Sequence, residues 1–112
     1  MRTAPLTLLG LVLASSCAGV QLRREALSEP GALLFNGYTR DAVDCWRCHG
    51  GDGAGAARGP GLASRVPKKS DERLALIIRE GKGTMPGFQR VLSDDEVTQL
   101  VAWLRAAFPR QP

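Results

Sequence analysis

A single histidine, His49, stands in a chain of 112 residues, and that scarcity removes whole classes of chemistry. Hydrolytic triads and Cys–His pairs need a histidine free to shuttle protons. Cysteine is nearly as rare: Cys17, Cys45 and Cys48 are the three in the chain. A structural zinc site needs four ligands, and these cysteines with His49 reach that number only if distant Cys17 joins them. No apolar run is long enough to cross a bilayer, which takes about 20 residues in a helix. Strand-type alternation and internal repeats are also missing. So are a GxGxxG pattern and a P-loop lysine, so phosphate cradling has no support.

Charge is only mildly one-sided. Fifteen Lys and Arg face eleven Asp and Glu, a formal net charge of +4. Between Arg40 and Arg90 there are ten basic residues against six acidic ones, and from Val91 onward two against three. A nucleic-acid binder concentrates its cations more strongly and interleaves aromatics, which make up 5% here. The balance points away from nucleic acid and weakly toward acidic protein partners.

The first residues carry an export pattern. Arg2 precedes the apolar run Leu6 to Ala14, interrupted by Thr7 and Gly10, and small Ser15 and Ser16 follow. Residues 1–16 therefore read as a signal peptide. The stretch Leu13-Ala14-Ser15-Ser16-Cys17 resembles a bacterial lipoprotein signal, with Ala14 and Ser16 where Leu and Gly or Ala are commonest. The expectation is a periplasmic protein held on a membrane surface through lipid on Cys17; an ordinary signal cut near Ala14 to Gly19 is the alternative. Residues 17–28 read as a linker and 29–109 as the folded domain.

Within that domain every periodic segment is helical. Gly31, Leu34, Phe35 and Tyr38 form one stripe at i, i+3, i+4 and i+7. Gly50 to Gly61 holds six glycines in twelve residues and reads as a loop. Ser70 reads as an N-cap, with Asp71 and Glu72 in the first turn, Leu74, Ile77 and Ile78 on the apolar face and Gly81 at the end. Ser93 and Glu96 have the spacing of a capping box. Val97, Leu100, Val101, Leu104 and Phe108 mark the last buried stripe, beside Trp103, and Pro109 stops it. The fold class is all-α, with three or four short helices. So small a core calls for a staple.

Cys45-Trp46-Arg47-Cys48-His49 supplies it. CxxCH is the attachment pattern of c-type haem: residues three apart share one face of a helical turn. Both thiols can then add across the haem vinyl groups while the next residue, His49, reaches the iron. A thioredoxin-like pair would sit in an α/β context, which is lacking here. Because His49 is the sole histidine, the second axial ligand cannot be another. Met85 lies 36 residues later in Gly81-Lys82-Gly83-Thr84-Met85-Pro86-Gly87, a stretch that cannot continue a helix. It is the sole methionine after Met1 and the candidate sixth ligand. If it does not bind, the site stays open to small molecules or to Lys82.

From about Ala26 to Pro109 the chain resembles a class I cytochrome c of the small bacterial periplasmic type. The resemblance rests on Gly31 and Phe35, the CxxCH motif, Gly59-Pro60-Gly61-Leu62, Gly83-Thr84-Met85-Pro86, and Leu100, Trp103 and Leu104. It implies one covalent haem c, with Gly31 and Trp103 at the crossing of the first and last helices. It also implies that Pro60 offers its carbonyl to His49, and that Leu62, Leu74, Ile77 and Ile78 line the haem pocket. The expected function is single-electron transfer to redox protein partners, with Arg47, Lys68, Lys69 and Lys82 as candidates to orient an acidic one. Two alternatives stay open: an open-site haem enzyme or gas sensor, and a fixed haem subunit of a larger oxidase or reductase.

Overall fold

The computed structural model describes residues 28–51, 53–56, 58–110 and 112. The signal segment, Cys17 and the linker as far as residue 27 lie outside the described residues. Among the described residues there are four α-helices and one 3-10 turn: α1 Pro30–Phe35, α2 Trp46–His49, the turn Val66–Lys68, α3 Asp71–Glu80 and α4 Asp94–Ala107. Two isolated bridges, Ala56 with Gly59 and Lys82 with Met85, are the only β pairing among these residues. The fold is all-α.

Helix α1 starts on Pro30, whose fixed φ suits a first helical position. It ends earlier than the stripe implied. Gly37 takes φ +77, and the N–H groups of Tyr38 and Gly37 donate to the carbonyls of Leu33 and Leu34 at 2.9 and 3.2 Å. That pairing is a Schellman stop. Tyr38 is thereby carried off the stripe and is 69% exposed, a correction to its expected burial.

The caps of α3 and α4 are those the sequence called for. Ser70 Oγ accepts the Arg73 N–H at 3.1 Å. Ser93 Oγ accepts from the Glu96 N–H and Glu96 Oε1 accepts from the Ser93 N–H, both at 3.1 Å. Val97, Leu100, Val101 and Leu104 are buried on α4. Phe108 lies just past the helix end and is only half-buried, packed against the core rather than within it.

Helices α1 and α4 cross at Gly31. A β-carbon there would meet the Trp103 side chain and lie 2.6 Å from the Gln99 carbonyl oxygen. The Phe35 and Trp103 rings pack beside this crossing, with centroids 4.9 Å apart. Leu34, Phe35, Val43, Val97 and Leu100 form the fully buried centre. The other apolar face of this assembly opens onto a cavity.

Candidate cofactor site

The cavity occupies about 450 Å³ between α2, α3 and the loop that follows α3. Its residues reach it for local reasons. Cys45 caps α2, and the single turn closes with the His49 N–H donating to the Cys45 carbonyl at 2.9 Å. The turn ends at Gly50, where the Gly50 N–H donates to Trp46 at 2.8 Å. Cys45, Cys48 and His49 all line the cavity. Neither cysteine is in a disulfide. Burial pushes the Cys45 thiol up to about 11, because a thiolate loses its hydration in apolar surroundings.

The glycine-rich loop folds back beneath α2. His49 Nδ1 lies 2.9 Å from the Pro60 carbonyl oxygen, in position to donate its N–H. That tautomer leaves the lone pair on Nε2. The approach is close: a β-carbon on Gly59 would lie 2.7 Å from the Cys48 carbonyl oxygen and 3.0 Å from His49 Nδ1. Leu62, Leu74, Ile77 and Ile78 line the cavity as well.

Met85 reaches the same cavity from the loop after α3. Lys82 and Met85 exchange two backbone hydrogen bonds of 3.0 Å, which closes a tight turn around Gly83 and Thr84. The loop is then tied back to α3, with Phe88 donating to the Ile78 carbonyl at 2.9 Å. Met85 therefore sits on a braced turn.

Sequence reading missed several lining residues. Phe35, Val66 and Phe88 add apolar wall, and Arg58 and Arg65 stand at the edge. Phe35 was legible only as core. Arg58 sits beside Gly59-Pro60, yet nothing in its local sequence distinguishes it from a solvated charge. Pro67 was the one local signal for the 3-10 turn that delivers Val66.

Two cysteine sulfurs, an imidazole with one nitrogen held by a carbonyl, and a thioether thus share one largely apolar cavity. That donor set fits an iron porphyrin attached through its edge. Among the described residues no group of three or more His, Cys, Asp or Glu side chains could hold a bare metal ion. The fold and the site together define a c-type cytochrome. A family model described as "Cytochrome C oxidase, cbb3-type, subunit III" matches residues 32–104, and the chain belongs to that family.

Solved structures agree on the class. The chain is 31% identical to the c-type cytochrome XoxG from Methylobacterium extorquens AM1, with a TM-score of 0.53 over 66% of this chain and 49% of that one. It is 26% identical to the c-type cytochrome NirC, with a TM-score of 0.51 over 84% of this chain and 98% of that one. A third match is the dihydro-heme d1 dehydrogenase NirN, at 30% identity and a TM-score of 0.59, over 74% of this chain and 17% of that one. The chain therefore spans less than half of NirN and about half of XoxG. No curated protein matches it. Membership of a mono-haem class I cytochrome c family carries with it one covalently bound haem c, and Cys45-Trp46-Arg47-Cys48-His49 is the attachment motif.

Proposed function

We propose that this chain is a single-electron carrier whose haem iron is held by His49 on one side and Met85 on the other. The observation that carries the reading is that His49 and Met85 line one cavity while His49 Nδ1 is engaged by the Pro60 carbonyl at 2.9 Å. The hydrogen bond orients the ring and raises its basicity as a ligand. The braced Lys82–Met85 turn would hold the thioether with little freedom to leave. Haem c supplies the iron whose Fe(II) and Fe(III) states store and release one electron, and a His/Met set raises its potential. The only histidine is engaged in this way, so no comparable proton-transfer base is left for a catalytic role.

Export and anchoring belong to the same reading. Residues 1–16 direct the chain to the periplasm, and a lipidated Cys17 holds residues 29–109 at a membrane surface by a short linker. Its partners are redox proteins. The family description favours one variant of this function, a haem subunit fixed within a larger oxidase. Co-purification with membrane partners after solubilisation separates that variant from a diffusing carrier.

The test of ligation is the visible spectrum of the matured protein. The oxidised parent should show the weak far-red band of thioether-to-iron(III) charge transfer, and the reduced parent should resist carbon monoxide. Met85→Ala should lose the band and bind carbon monoxide. A parent without the band that takes up carbon monoxide readily would replace the carrier with an open-site enzyme or sensor.

A further inference from the structure

Helix α4 stops at Phe108, and the ring beyond that end lies against the loop that serves His49. The Phe108 N–H donates to the Leu104 carbonyl at 2.8 Å, and Pro109 prevents a further turn. Phe108 packs at the edge of the hydrophobic core and lies outside the cavity lining. The tip of its ring presses on Gly53: a β-carbon there would lie 2.7 Å from Phe108 Cζ and 3.2 Å from its Cε2. The same β-carbon would lie 3.2 Å from Leu62 Cδ1, so the ring, the glycine and the leucine meet at one point.

Gly53 and Leu62 are also where that loop closes on itself. Gly53 is buried, and its N–H donates to the Gly50 carbonyl, just past α2, at 3.0 Å. The Leu62 N–H donates to the Gly53 carbonyl and the Gly55 N–H to the His49 carbonyl, both at 2.7 Å. Pro60 stands two residues before Leu62, and its carbonyl oxygen lies 2.9 Å from His49 Nδ1. A glycine-rich chain has much conformational freedom to lose. Contacts that fix its two ends therefore decide how steadily it presents the Pro60 carbonyl, and Phe108 touches both ends.

We propose that Phe108 is a positioning residue for the axial histidine: its ring clamps Gly53 against Leu62, and the clamped loop holds the Pro60 carbonyl on His49 Nδ1. The inference rests on the reading of His49 as an iron ligand given above. A firm hydrogen bond at Nδ1 makes Nε2 a stronger donor and favours Fe(III). Loosening the clamp weakens that bond and shifts the midpoint potential upward. Admitting water to the haem would shift it downward, because a polar medium favours the more highly charged iron. Phe108 lies outside the lining, so its removal takes the first route, and the sign of the shift tells the two apart.

The test compares matured holoproteins by redox titration and by NMR of the reduced state. Phe108→Ala should raise the midpoint potential and let the His49 Nδ1 proton exchange with solvent roughly tenfold faster. Phe108→Leu keeps bulk over Gly53 and should recover most of both. Gly53→Ala puts a methyl where the ring tip lies and should shift both in the same direction as Phe108→Ala. Combined in one chain, Gly53→Ala and Phe108→Ala should fall short of the sum of their effects, because they break the same contact. Val97→Ala is the control: it truncates a fully buried side chain outside the cavity lining. It should cost stability and leave the potential and the Nδ1 exchange near their parental values.

Equal responses of Phe108→Ala and Val97→Ala would overturn the clamp and leave the ligation by His49 intact. A lowered potential in Phe108→Ala would also overturn it, making the ring a seal against water. Strict additivity in the double variant would show that Phe108 does not act through Gly53, and would overturn it too. An oxidised parent without hyperfine-shifted His49 ring protons would overturn the ligand reading, and this inference with it.

Discussion

Gly31 and Trp103 occupy one point in space, where α1 crosses α4. A β-carbon on Gly31 would run into the Trp103 side chain and the Gln99 carbonyl oxygen at 2.6 Å, and backbone yields less readily than a side-chain tip. Gly31→Ala should therefore force the helices apart and cost about 1–3 kcal/mol, read as a fall in the denaturant midpoint of the holoprotein. An unchanged midpoint would mean that the crossing relaxes freely. Positions of this kind were legible in the sequence through its resemblance to class I cytochromes c, which implied the roles of Gly31, Trp103, Pro60 and Leu62. Arg58, Arg65 and Phe88 were not. Their reach into the cavity depends on how the glycine-rich and methionine loops fold back, which no local pattern encodes.

Elements were read correctly where a cap or a period specified them. The capping box of α4 and the Ser70 cap of α3 place both helix starts where the sequence did. The end of α1 escaped notice because the apolar period continued to Tyr38, whereas the Asn36-Gly37 pair that stops the helix is a turn signal. At that end the backbone hydrogen bonds outweighed the period. Connection between elements was also hidden. Arg105 on α4 donates to Asp71 Oδ1 at 2.9 Å, to the Val66 carbonyl at 3.1 Å and to the Lys69 carbonyl at 2.6 Å. One guanidinium thus ties the 3-10 turn and the start of α3 to the last helix, and with them a wall of the cavity. Arg105→Met should destabilise the fold by about 2 kcal/mol. Arg105→Lys should recover little of it, because an ammonium cannot span three acceptors as a planar fork does. Chemical denaturation of the two variants checks the ranking; full rescue by lysine would reduce Arg105 to a point charge.

At the scale of the whole molecule, charge links segments far apart in sequence. Arg40, beyond α1, forks onto Glu96 in the first turn of α4, with both hydrogen bonds at 3.0 Å. The Arg40 guanidinium, helped by the Ser93 backbone N–H, holds the Glu96 carboxyl down at about 2, against 4.5 for an unperturbed glutamate. A carboxyl with a depressed value in the fold stabilises above its unfolded value and loses that contribution as pH falls. Stability should therefore drop between about pH 4.5 and pH 2. Glu96→Gln should flatten that limb of the pH–stability curve while lowering stability near neutrality. An unaltered limb would assign acid sensitivity to other carboxylates.

The core is thin and one wall of it is cavity, so this chain should depend on its cofactor for a stable fold. An intact mass and visible spectrum of protein matured with a haem-attachment system test this account most directly. The mass should exceed the processed polypeptide, with any lipid, by one haem, and that mass should persist through denaturation. Cys45→Ser with Cys48→Ser should abolish both the added mass and the covalently retained colour. A colourless, fully matured parent whose mass is that of its amino acids and lipid would contradict the account at its root.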